Sequence, residues 1–204
     1  MQLFGSLPPS IIKELNNPFT AGRLTGVHIA ALKCLFAFGL KNHFKTREVT
    51  LSLSQLEQMT GLSKPMIING IRRLIELSIV EKIQQDKTNV PNKYKLLFLE
   101  GVRAFTKIPY MHLLRNLATF PNKGVYVLTA LKIYLILLQV RDNKSKEVEI
   151  SYLRLATYGI NSKHICKALE ILIIHNWISI SRELDADGGY TKSCNKYLLK
   201  NMAI

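Results

Sequence analysis

The sequence predicts an α+β fold, mainly helical, built as two similar halves in tandem. Three observations predict it. One order of segments occurs twice at a nearly constant spacing. The longest segments carry apolar residues every three or four positions, the period of a helix buried along one face. Each half closes on two short alternating segments around a polar loop, the pattern of a hairpin.

The repeat is legible residue by residue. Gly70-Ile71 matches Ala168-Leu169, Leu74-Ile75 matches Leu172-Ile173, and Ile79-Val80 matches Trp177-Ile178, all 98 positions apart. Upstream, Gly26-Val27 pairs with Gly124-Val125 and Ala31-Leu32-Lys33 with Ala130-Leu131-Lys132, and Leu7-Pro8 and Ile108-Pro109 occupy similar places. Asn92-Lys93-Tyr94 and Asn195-Lys196-Tyr197 are 103 apart, so the second copy has a longer loop. The chain therefore divides near Glu100-Gly101 into domains 1–100 and 101–204, joined by a short connection over 99–105.

In the first half, Thr25 is placed to cap a helix over about Gly26–Lys41, with Val27, Ala31, Leu35 and Phe38 along one face. Val49-Thr50-Leu51 is a short strand. Ser52 or Ser54 caps a short helix that ends near Thr60-Gly61, where glycine permits a left-handed exit. Ser63 caps the next helix, with Lys64 and Pro65 in its first turn, where a missing N–H costs little. Ile67, Ile71, Leu74 and Leu77 face inward. Ile79–Ile83 and Lys93–Phe98 form a hairpin around the polar loop 84–92.

The second half repeats this order. Gly124–Val140 is the long helix, Val148–Ile150 the strand, Ser151–Tyr158 the second helix, and Asn161 or Ser162 to Asn176 the third. Trp177–Ser181 and Lys196–Leu199 make the hairpin, around a loop, Asp185–Ser193, rich in Asp, Gly and Thr. Ile171-Leu172-Ile173-Ile174 is apolar all round, so this end of the helix is expected to be buried on more than one side.

The run Leu53-Ser54-Gln55-Leu56-Glu57-Gln58-Met59-Thr60-Gly61-Leu62-Ser63-Lys64-Pro65-Met66-Ile67, followed by Ile71-Arg72-Arg73-Leu74-Ile75-Glu76-Leu77-Ser78-Ile79-Val80 and the hairpin, resembles a winged helix-turn-helix domain. The second half is similar to it as well. Many members of that family have Gly where this chain has Ser78. The resemblance implies that the helix from Ser63 lies in the DNA major groove and that the hairpins, or wings, touch the backbone. The N-terminal side chains of such a helix meet base edges.

On helix 63–77 the outward residues are Lys64, Met66, Ile68, Asn69, Arg72 and Arg73, with no acidic residue before Glu76. Asn pairs with adenine and Arg with guanine through two hydrogen bonds each. The second copy offers Ser162, Lys163, His164, Cys166, Lys167 and Glu170, with Glu170 where the first has Arg72. A carboxylate there is repelled by phosphate. The second copy therefore either reads DNA through its first turn only or packs against the other copy or a second subunit. His164 is expected to contact phosphate or base rather than metal, and Cys166 to be a small filler. On the wings, Lys87, Thr88, Asn89, Asn92 and Lys93 decorate the first, and Arg182, Tyr190, Thr191, Lys192 and Ser193 the second. The acidic trio Glu183, Asp185 and Asp187 restricts contact to the far side of the second wing. Lys41, Lys45 and Arg47 form a further basic patch.

Charge points the same way. The 204 residues carry 28 Lys and Arg against 14 Asp and Glu, a net +14. Residues 1–100 hold 13 basic and 7 acidic residues and 101–204 hold 15 and 7, so the halves carry +6 and +8. Such an excess favours a polyanionic partner. The longest apolar stretch, Val125–Val140, spans 16 residues and contains Lys132, which is short of the ~20 needed to cross a membrane. The N-terminus has no secretory pattern. Cys34, Cys166 and Cys194 are too widely spaced for a disulfide framework or a zinc site, so reduced thiols and a cytoplasmic, nucleoid-associated protein are expected.

No phosphate loop, ligand-spaced Cys or His pair, or nucleophile elbow is present in the sequence, and neither enzymatic activity, nor a metal, nor a cofactor is expected. His28 and His175 read as partly buried packing residues. The expected function is sequence-specific binding of double-stranded DNA at an extended or repeated site, as a transcriptional regulator. The alternative is a replication initiator: the tandem layout and Phe105-Thr106-Lys107-Ile108-Pro109 with the helix after it resemble plasmid and phage initiators, in which one copy often reads DNA while the other dimerises. A third reading, a protein-docking adaptor, would need an apolar outer face on helix 63–77.

Overall fold

A computed structural model describes residues 4–9, 11–43, 45–83, 91–97, 105–181 and 195–202. It is α+β, with seven helices among these residues and three small antiparallel sheets. After β1 (Phe4–Leu7) come α1 (Thr25–Lys41), β2 (Glu48–Leu51), α2 (Leu53–Thr60), α3 (Lys64–Glu76), β3 (Val80–Lys82) and β4 (Asn92–Leu96). Then follow β5 (Thr106–Pro109), α4 (Tyr110–Asn116), α5 (Val125–Val140), β6 (Glu147–Ile150), α6 (Tyr152–Thr157), α7 (Ser162–Ile174), β7 (Ile178–Ser181) and β8 (Asn195–Leu199). The helix–strand–helix–helix–hairpin order occurs twice, and the sheets have matching strand orders, β2-β4-β3 and β6-β8-β7. Residues 98–104, which include most of the expected connection over 99–105, lie outside the described residues.

Local chemistry sets the helix ends. Ser52 accepts from Gln55 N at 3.1 Å while the Gln55 side chain accepts from Ser52 N at 2.8 Å, a reciprocal cap that selects Ser52 over Ser54. Asn161, not Ser162, caps α7, accepting from Lys163 N at 3.0 Å. Ser63 sits at the cap position of α3 without a side-chain bond. Thr25 is not a cap: it is the first helical residue, and its hydroxyl bonds Gly22 N and O instead. Ser78 adopts φ 53°, as does Asn176 at φ 58° in the second half, so both take the left-handed turn a glycine would take at less strain.

The long helices α1 and α5 are buried nearly all round and pack on each other, with α3 against α1 and α7 against α5. Residues of both halves share one core. Trp177 sits at its centre, 4.2 Å from Phe120, 4.7 Å from Tyr134 and 6.4 Å from Phe36 between ring centroids. Each half also holds the other by equivalent contacts. The segment before α5 reaches the first half: Asn122 Nδ2 donates to Gly61 O at 2.9 Å, and Lys33 Nζ donates to Phe120 O at 2.7 Å and Asn122 Oδ1 at 2.6 Å. The segment before α1 reaches the second: Asn17 Nδ2 donates to Tyr158 O at 2.8 Å, and Leu15 N to Thr157 O at 2.8 Å. Gly61 and Gly159, both at positive φ, are the contact points; a Cβ on Gly61 would lie 2.2 Å from Ala118 O.

β1 and β5, which close the two N-terminal segments, pair with each other. Their register joins Gly5 to Ile108, Ser6 to Lys107 and Leu7 to Thr106. It is symmetric about the Ser6–Lys107 pair, as strands related by a two-fold axis are. The ends of α1 and α5 anchor this ribbon: Asn42 Nδ2 donates to Ser6 O at 2.6 Å, and Arg141 Nη2 to Lys107 O at 3.1 Å.

The end of α7 differs from the expected burial on more than one side. Leu172 is buried, but Ile173 is 45 % and Ile174 78 % exposed, because they lie off the face of α7 that buries Ile165, Ala168, Leu169 and Leu172. Cys166 is likewise exposed on the outer face of α7 rather than filling the core. Among the described residues no helix is long and apolar enough to cross a membrane.

Candidate nucleic-acid interface

The outer face of α3 is set by the residues that hold its inner face. Ile67, Gly70, Ile71 and Leu74 are buried against α1, so the positions one helical step away must face outward. Lys64, Ile68, Asn69 and Arg72 are exposed, and Met66 and Arg73 are half-buried. Leu77, expected inward, is half-buried beyond the last turn. Pro65 in the first turn has no N–H of its own to leave unmet. Arg72 Nη1 lies 3.4 Å from Asn69 Oδ1, a long hydrogen bond that aligns two side chains capable of reading base edges.

Arg73 is tied to the scaffold. Its Nη1 pairs with Glu76 at 3.1 Å, and its Nε donates to His28 Nε2 at 3.1 Å. His28 Nδ1 lies 2.7 Å from Thr20 O, which can only accept, so Nδ1 carries the proton and Nε2 is free to accept from Arg73. Burial lowers the His28 pKa, opposed by the Thr20 bond and reinforced by Arg73 and Lys132. His28 is fully buried on α1, while His175 is half-buried with its ring 5.1 Å from Phe120.

Of the first hairpin, Asn92 and Lys93 are described. Lys93 pairs with Glu48 across the sheet at 2.8 Å, and this pair holds the Glu48 carboxyl below its ordinary pKa. Lys87, Thr88 and Asn89 lie outside the described residues, as do Arg182, Glu183, Asp185, Asp187, Tyr190, Thr191, Lys192 and Ser193 of the second hairpin. Lys41 is exposed and donates to Tyr110 Oη at 3.3 Å; Lys45 is exposed.

On α7, Ser162, Lys163, Lys167 and Glu170 are exposed and His164 is half-buried. Tyr126, in the first turn of α5, joins them: its ring meets the His164 ring edge-on at 5.3 Å, and Lys167 Nζ lies 5.0 Å from its centroid. The pairing of α5 with α7 brings Tyr126 there. Nothing in its local sequence marks it, since it lies 38 residues before His164. The structure thus groups Lys64, Asn69 and Arg72 on one face, and Lys163, His164, Lys167 and Tyr126 on another.

No protein-family model matches the chain, and no curated protein is significantly similar to it.

Proposed function

We propose that this protein binds double-stranded DNA in a sequence-specific manner, as a tandem winged-helix transcriptional regulator whose halves arose by internal duplication. The observation that carries the reading is the outer face of α3: Lys64, Asn69 and Arg72 are exposed together on a protein of net charge +14, with Asn69 and Arg72 hydrogen-bonded. In this reading α3 enters the major groove, where Arg suits guanine and Asn suits adenine. α7 contributes Lys163 and His164 of its first turn, with Lys167 in the next, and the hairpins add phosphate contacts. The symmetric β1–β5 pairing and the reciprocal contacts at Gly61 and Gly159 support a two-fold relation between the halves, and therefore unequal half-sites in inverted orientation.

Selection of bound duplexes from a random library tests this. An enriched sequence with two inverted, non-identical halves supports it; recovery of unenriched DNA, or of none, contradicts it.

A second reading, a plasmid- or phage-type replication initiator, is favoured by the segment after the connection, where Thr106–Pro109 forms β5 and runs directly into α4. Enrichment of a site iterated at an origin rather than placed at a promoter would select it. In either use, the exposed Ile173 and Ile174 suit pairing of two copies, and Ile174→Lys should abolish any concentration-dependent dimer in sedimentation.

A further inference from the structure

The outer face of α3 is not uniformly polar. Ile68 is 43 % exposed in its second turn, four residues after Lys64 and four before Arg72, with Asn69 beside it. These spacings put Lys64, Ile68 and Arg72 in one line along the helix. With Leu53, Ile71, Ile75 and Tyr94, Ile68 lines a groove of about 510 Å³ between α3 and the hairpin. It is thus an exposed apolar side chain on a cationic line.

Resting on the DNA-binding reading above, we infer that Ile68 is a specificity-determining residue that covers the C5-methyl group of a thymine. In the major groove the base edges offer donors, acceptors and one apolar feature, that methyl. Lys64 and Arg72 on either side complement phosphate or guanine, so a duplex suits the whole line. Four residues of helix rise about 6 Å, close to two base-pair steps of about 3.4 Å, so the thymine should lie about two base pairs from the guanine met by Arg72. In α7 the residue 98 positions on is Cys166, which is smaller, so the methyl dependence belongs to the half-site under α3 alone.

The test replaces each thymine of the selected duplex singly by deoxyuridine, which removes only the methyl, and titrates wild type, Ile68→Ala and Ile68→Val by fluorescence anisotropy. Wild type should bind about fourfold more weakly when one thymine in the α3 half-site is replaced, the worth of one buried methyl-sized group. Ile68→Val should keep this dependence. Ile68→Ala should bind the thymine and uracil duplexes alike. A selected duplex that wild type binds equally well with uracil at every position overturns the role of Ile68 while leaving DNA binding intact. The same holds if Ile68→Ala is as sensitive to the replacement as wild type. Failure to select any duplex overturns both.

Discussion

Arg72 and Arg73 are neighbours in sequence but not in circumstance. Among the described residues Arg72 bonds Asn69, whereas Arg73 is held by His28 and Glu76. In the DNA-binding reading, Arg72→Ala or Asn69→Ala should weaken specific binding by about 1–3 kcal/mol, with little change in stability. The double change Arg72→Ala plus Arg73→Ala should add a loss of stability, because removing Arg73 leaves the buried His28 Nε2 without its donor. Anisotropy titration and urea unfolding separate the two effects. Buried bases make stability depend on pH, Lys33 and His28 among them. Lys33, buried and paired only with oxygens of neutral groups among the described residues, is drawn from 10.5 down to about 7 by burial. Its neutral form is favoured in the fold, so the unfolded chain binds the extra proton between those values. Stability should therefore rise from about pH 7 toward 10.5, by at most about 1.4 kcal/mol per pH unit, and Lys33→Met should flatten that rise. His28, also lowered, has the same sign in a lower window: its contribution is present above 6.5 and is lost as pH falls below it. Urea midpoints from pH 5 to 9.5 check both.

At the scale of elements, the helices and hairpins were legible in the sequence because their signals are local. Apolar period, the Ser52–Gln55 cap, Pro65 in a first turn and Gly61 at a left-handed exit all act within a few residues. β1 and β5 were not legible, whereas the helix after Pro109 was. β1 and β5 are four residues each, and each is completed only by a partner about 100 residues away. The exposure of Ile173 and Ile174 was not legible, because an apolar run does not reveal which of its faces a neighbour covers. In the site, the exposed face of α3 follows from its period, but the engagement of Arg73 by His28 depends on how α1 and α3 pack. Gly61 offers a test at this scale. Gly61→Val should destabilise the protein well beyond the ~1 kcal/mol typical of a helix-end substitution, because a side chain there meets Ala118 O as well as straining a φ of 65°. Thermal melting measures it.

At the scale of the molecule, the two halves are joined by a shared core, a strand pair and reciprocal hydrogen bonds. A rigid link of this kind would hold α3 and α7 at one spacing. Inserting two base pairs between the inverted half-sites should therefore reduce affinity to that of the stronger half alone, whereas flexibly joined halves would tolerate it. Asn122→Ala, which removes a bond to each of Lys33 and Gly61, should relax this dependence.

In the DNA-binding reading, a cationic face on α3 grips the duplex. The most direct measurement is a titration of the selected duplex with wild type and Arg72→Ala at 50 and 200 mM salt. With ~6–10 phosphate contacts, wild-type affinity should fall by ~10³–10⁵-fold between the two, and Arg72→Ala should bind more weakly than wild type at both. Affinity indifferent to salt, with Arg72→Ala equal to wild type, would contradict the claim.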